Sequence, residues 1–117
     1  MYMKKILVVN NDFDTMDLLK NWLEKKTYSV KFTSSKDEVP EIIKKFRPEL
    51  LIVDVLQKEV IEELKVDQET RSLPVLLMTG YTLKQINNQL PVDDIIEKPF
   101  NLPLFEKKIE RLIQRNN

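Results

Sequence analysis

The sequence predicts an α/β fold, a parallel sheet wound on both faces by helices. Three observations lead there. Short aliphatic runs recur along the 117 residues. Between them, apolar residues fall at helical spacing. The two kinds of segment alternate from one end of the chain to the other, which calls for parallel strands joined by right-handed crossovers.

In order, Lys4 to Val9 (KKILVV) reads as a first strand, buried on both faces because its apolar run is unbroken. Phe13, Met16, Leu19 and Leu23, with Leu18 and Trp22 beside them, place a helix next. Tyr28, Val30 and Phe32 alternate with Ser29, Lys31 and Thr33, the pattern of an edge strand. Val39, Ile42, Ile43 and Phe46 step at i, i+3, i+4 and i+7, a second helix that ends before Pro48 and carries Pro40 in its first turn. Leu50 to Val53 is a third strand, and Val60, Ile61 and Leu64 mark a short third helix. Leu73 to Met78 is a fourth strand, Leu83 to Leu90 a polar fourth helix, and Ile95 with Ile96 a short fifth strand. Leu102, Phe105, Ile109 and Leu112 carry the last helix, to about Ile113. Trp22, Phe46 and Phe105 are expected in the core or at its margin.

Composition removes several function classes. Hydrophobic residues make up 42%, which argues against disorder. The net charge is zero, from 19 basic and 19 acidic residues, so bulk charge does not favour nucleic acid. With no Cys and no His, thiolate chemistry, Ser-His triads and the usual zinc sites are excluded. Gly80 is the one glycine, which excludes both the dinucleotide fingerprint and the Walker loop. No apolar run is long enough to span a bilayer, and MYMKK is not a signal peptide. A soluble, cytoplasmic protein is expected, with no direct nucleic-acid contact and no membrane insertion.

In doubly wound sheets, sites form at the carboxyl ends of the strands. Asn10, Asn11 and Asp12 follow the first strand, Asp54 ends the run LLIVD, Thr79 and Gly80 follow the fourth strand, and Lys98 follows the fifth. Asp54 is read as the first residue to emerge from its strand. The rim thus gathers amides, two acids, a hydroxyl and an ammonium.

These motifs (KKILVV-NND, LLIVD, PVLLMTG and EKPF, in that order) resemble the receiver domain of two-component response regulators over essentially the whole chain, 1–117. The resemblance implies a flavodoxin-like fold with strand order 2-1-3-4-5. It implies that Asp54 accepts a phosphoryl group, that Lys98 pairs with the carboxylate and then the phosphoryl oxygens, and that Thr79 is the switch hydroxyl, with Gly80 the small residue after it. It implies a cis Lys98-Pro99 bond, Mg²⁺ as cofactor, a sensor histidine kinase or phosphotransfer protein as donor, and a downstream effector protein or a homodimer as readout. Such a protein is a phosphoacceptor that assists its own phosphorylation and dephosphorylation, not an enzyme. The chemistry is coherent: an ionised Asp is the nucleophile, and cations absorb the charge that develops on the phosphoryl oxygens.

Three positions depart from the family pattern. Adjacent acids usually follow the first strand, and Asn10 and Asn11 stand there, with Asp12 one residue later. Asn11, Asp54 and the backbone carbonyl of Leu56 are the expected metal ligands, with Asn10 and Asp12 as further candidates, and metal affinity should be weak because an amide brings no charge. After Asp54 the sequence runs VLQKE, without the family's Pro and Gly. Ile95 replaces the aromatic rotamer switch three residues before the lysine. Plainer roles stand beside these. Asn10, Asn11 and Asp12 suit helix capping, Asp54 a cap, Thr79 a strand end, Lys98 a solvated cation, and EKKIER a solvated helix face.

Two functions follow. In one, phosphorylation of Asp54 switches a protein-binding face. In the other, a degenerate receiver binds partners regardless of phosphorylation. A haloacid-dehalogenase-like phosphatase is set aside, because its second Asp is replaced by Leu56.

Overall fold

The aliphatic runs form five parallel strands in one sheet, ordered β2-β1-β3-β4-β5. The computed structural model describes residues 3–54, 58–80, 91–98 and 101–115. The strands are β1 (Lys5–Val9), β2 (Ser29–Thr33), β3 (Leu50–Asp54), β4 (Val75–Thr79) and β5 (Asp94–Glu97). The helices are α1 (Phe13–Lys25), α2 (Val39–Phe46), α3 (Lys58–Val66) and α4 (Leu102–Arg115). The polar helix expected at Leu83 to Leu90 lies outside the described residues.

Alternation along the strands divides the interior in two. Ile6, Val8, Leu50, Ile52, Leu76, Met78 and Ile96 face α1 and α4, where they pack on Leu19, Leu23, Phe105 and Ile109. Leu7, Val9, Leu51, Val53, Val75 and Leu77 face α2 and α3, against Val39, Val60, Ile61 and Leu64. Each buried aliphatic side chain contributes roughly 1.5–3 kcal/mol of transfer free energy, as an upper estimate. This two-sided burial is why the central strands read as unbroken apolar runs, whereas edge strand β2 alternates.

Local chemistry sets the helix ends. Asp12 caps α1, its carboxylate accepting from the Asp14 amide at 3.1 Å. A single 3₁₀ turn at Lys36–Glu38, which the periodicity did not predict, leads into α2. Pro40 lies in the first turn of α2, and Arg47, at φ 52°, ends that helix in the left-handed region ahead of Pro48. Trp22 stacks against Phe105 with ring centroids 5.5 Å apart.

Two expectations are corrected. Phe13, counted on the apolar face of α1, is 79% exposed. It is the first residue of the helix, beyond the last strand residue that could cover it. Asp54 is the last residue of β3 rather than the first beyond it, in register with Met78 of β4.

Candidate functional site

Register brings the strand ends together. Val9 pairs with Val53, Asp54 with Met78, and Thr79 with Glu97. Asn10, Asp54, Thr79 and Lys98 therefore lie along one rim, at the carboxyl ends of β1, β3, β4 and β5, with Thr79 in phase with Leu77 on the α2 and α3 side. The order β2-β1-β3 also puts the reversal of winding between β1 and β3, where ligands of such sheets bind.

Asp54 and Lys98 form the centre. The Lys98 ammonium donates to Asp54 Oδ2 at 2.9 Å across 44 residues of chain. The Asp54 side chain is 8% exposed and that of Lys98 28%. A carboxylate that nearly leaves water needs a partner of opposite charge, and the ammonium supplies it. Strand phase makes the contact: Lys98 is two residues past Ile96 and Asp54 two past Ile52, and both of those side chains lie in the core under α1 and α4. The Lys98 amide also donates to the Thr79 carbonyl at 2.6 Å, which ties the ends of β4 and β5 together.

Thr79 is fully buried and Gly80 exposed. A Cβ added at Gly80 would meet nothing within 4 Å, so packing alone does not demand a glycine there. Ile95 is half-buried at the margin of the core under α2 and α3. Leu56, Pro99 and the loop after Asp54 lie outside the described residues.

The end of β1 is built differently from the usual acidic pocket. Asn10 is fully buried, and its Oδ1 accepts from the Asp12 amide at 2.6 Å. Its Nδ2 is buried without a hydrogen-bond partner among the described residues. Asn11 is exposed. The Asp12 carboxylate is directed to α1, where it takes the Asp14 amide and the Thr15 hydroxyl, the latter at 2.7 Å. The Thr15 hydroxyl, the Asp14 and Thr15 amides and the charge of Lys98 hold its pKa below the ordinary 3.8, against a smaller opposing effect of desolvation.

This donor set does not fit a tight Mg²⁺ site. Mg²⁺ takes carboxylates and water in octahedral geometry. Among the described residues the rim offers one carboxylate already paired with an ammonium, a second engaged in capping, Asn10, whose inward donor has the wrong polarity for a cation, and an exposed Asn11 that brings no charge. Among the described residues no group of three acids, Cys or His is placed to hold a metal.

One rim interaction had no signal in the sequence. Lys36, in the turn after β2, pairs with Glu59 at the start of α3 at 2.6 Å. The Glu59 carboxylate raises the Lys36 pKa. Neither residue lies in a motif, and only the fold makes them neighbours.

A five-stranded parallel sheet of order 2-1-3-4-5, with an acid and a lysine paired at its carboxyl rim, defines a flavodoxin-like signalling domain. The chain belongs to the response regulator receiver domain family, whose model matches residues 6–110. It is 29% identical over 120 residues to the transcriptional regulatory protein CpxR of Escherichia coli (strain K12), covering 98% of this chain and 51% of CpxR, so the chain spans about half the length of that relative. It is 25% identical to the polar-differentiation response regulator DivK of Brucella ovis, over 92% of this chain and 94% of DivK. Among solved structures it is similar to a putative response regulator from Chloroflexus aurantiacus, with a TM-score of 0.86 at 21% identity over 97% of this chain and 99% of that one. It is also similar to the chemotaxis response regulator CheY4 of Vibrio cholerae, with a TM-score of 0.83 at 22% identity over 95% and 99%. Members of this family are two-component signalling proteins rather than classical enzymes, and they generally bind Mg²⁺ at the phosphorylation site. No described helix is long and apolar enough to cross a membrane.

Proposed function

We propose that Asp54 accepts a phosphoryl group from the phosphohistidine of a sensor kinase or phosphotransfer protein, and that the new charge shifts a protein-binding face. A carboxylate oxygen of Asp54 attacks phosphorus, the P–N bond breaks, and its electron pair stays on the imidazole nitrogen. Lys98 neutralises charge on the equatorial oxygens as the bond order passes from nitrogen to oxygen. The acyl phosphate adds roughly one negative charge to the rim. Thr79 is the hydroxyl that answers it, and Gly80 and Ile95 belong to the face that moves. A downstream effector or a second copy of the chain reads that face. Mg²⁺ is a weak assistant in this reading, because its usual carboxylates are amides here.

The observation that carries the proposal is the 2.9 Å pair between Lys98 and Asp54. The test is incubation with acetyl phosphate followed by intact-mass measurement. A phosphoryl adduct on the wild type that vanishes in Asp54→Ala supports it, and an adduct that survives that substitution ends it.

Asn10 and Asn11 favour a second reading, a receiver that binds its partner without phosphorylation. That reading predicts equal partner affinity for the wild type and Asp54→Ala.

A further inference from the structure

The Nδ2 of Asn10, buried without a partner among the described residues, is the feature of this rim that the family pattern does not explain. A buried N–H without an acceptor carries its full desolvation penalty, so folded proteins rarely keep one. Flipping the amide does not relieve it. Oδ1 is held by the Asp12 N–H at 2.6 Å, and a flipped amide would set donor against donor. Asn10 therefore presents its amino group inward, fully buried.

Its place in the sheet says which groups are its neighbours. Val9 and Val53 are partners in the parallel ladder, so the next residues, Asn10 and Asp54, are neighbouring strand ends. They share the side of the sheet that carries Ile6, Val8, Leu50 and Ile52. An N–H donor there, beside a carboxylate and an ammonium, suits oxygen atoms of an anion. Charge agrees. Where acids flank the phosphoacceptor, a divalent cation must offset their mutual repulsion. Here Asp54 and Lys98 already balance, and Asp12 is committed to α1.

We infer that Asn10 replaces the divalent metal with hydrogen-bond donors, so that phosphoryl acceptance by Asp54 is metal-independent. In the transition state, charge spreads over three equatorial oxygens. Lys98 covers one and the Asn10 amide another, with preorganised dipoles acting in a site largely closed to water. The inference rests on the phosphoacceptor role of Asp54 proposed above.

The test compares acetyl-phosphate labelling of the full chain in excess EDTA and in excess Mg²⁺, read by intact mass. Acetate leaves as phosphorus transfers to the Asp54 oxygen, so no other reactant is needed. The comparison variant is Asn10→Asp, which keeps an acceptor for the Asp12 amide and exchanges the inward donor for an acceptor. The wild type should label at rates within about threefold in the two buffers, whereas Asn10→Asp should slow at least tenfold in EDTA and recover in Mg²⁺. A wild type that itself loses tenfold in EDTA, or an Asn10→Asp that labels like the wild type there, overturns the inference while leaving Asp54 a phosphoacceptor. A wild type that labels in neither buffer overturns both. Should Asn10→Asp fold poorly, the Asn10 side-chain amide resonance of ¹⁵N-labelled wild type decides the matter. It should shift and gain exchange protection on phosphorylation in EDTA, and an unmoved resonance rejects the inference.

Discussion

Two of the Asp–Lys pairs among the described residues lie at opposite ends of the sheet, and they are built for different work. At the amino end, Lys65 donates to Asp93 at 3.4 Å and to the carbonyls of Arg71 and Leu73, each at 3.2 Å. Asp93 also accepts the Val75 amide at 2.7 Å. All three ammonium protons and much of the carboxylate are spent on pinning the end of α3 to the start of β4. At the carboxyl end, the Lys98 ammonium makes one hydrogen bond among the described residues, to Asp54. The first pair is a staple. The second keeps donors in reserve, and the buried Asn10 amino group beside it does the same. Unspent hydrogen-bonding capacity distinguishes the Lys98–Asp54 pair from the Lys65–Asp93 staple.

That contrast is open to attack by substitution. The largest effect should come from Asp54→Ala, which removes the nucleophile and should reduce acetyl-phosphate labelling to background by mass. Lys98→Met comes next. Labelling should slow about a hundredfold, and stability should drop by about 1–3 kcal/mol in urea melts, since a nearly buried carboxylate loses its partner. Lys65→Met sharpens the comparison, because it should cost stability of the same order and leave the labelling rate within about twofold. If labelling collapsed in Lys65→Met as well, the division between staple and site would fail. On the proposal that apolar Leu56, two residues past the acceptor, disfavours the hydrolytic water, Leu56→Asn should shorten the lifetime of the acyl phosphate, and an unchanged lifetime rejects that role.

The smallest effect concerns Asp12. Its folded-state pKa is lowered, first by the Thr15 hydroxyl. The cap therefore stabilises above the unfolded value near 3.8, and its contribution is lost as pH falls through the lower folded value. Asp12→Ala should melt below the wild type at neutral pH. The gap should narrow as the pH drops under about 4, and a gap constant down to strong acid would remove the carboxylate from the cap.

Much of the fold was legible because hydrophobic period is a local property. LLIV and ILVV announced strands covered on both faces, and Val30 and Phe32 announced an edge, since the covering of a strand is written in its own residues. Pro48 stopped α2 for reasons confined to one turn. Phe13 misled because periodicity says which side of a helix is apolar and not how far the sheet extends beneath it. The rim was legible as a set of residue types at strand ends. Its valences were not.

The sequence by itself determined the order of strands and helices, the partition of apolar residues into two cores, and the presence of Asp54, Thr79 and Lys98 at strand ends, because each depends on neighbours a few residues away. Only the tertiary structure decided that Asp54 ends inside β3 and meets Lys98, that Asp12 turns to α1, that Lys36 reaches Glu59, and that Asn10 buries a donor with no acceptor among the described residues. Those outcomes depend on which partners each polar atom finds across the sheet, and hydrogen bonds are allotted among groups that are far apart in the chain.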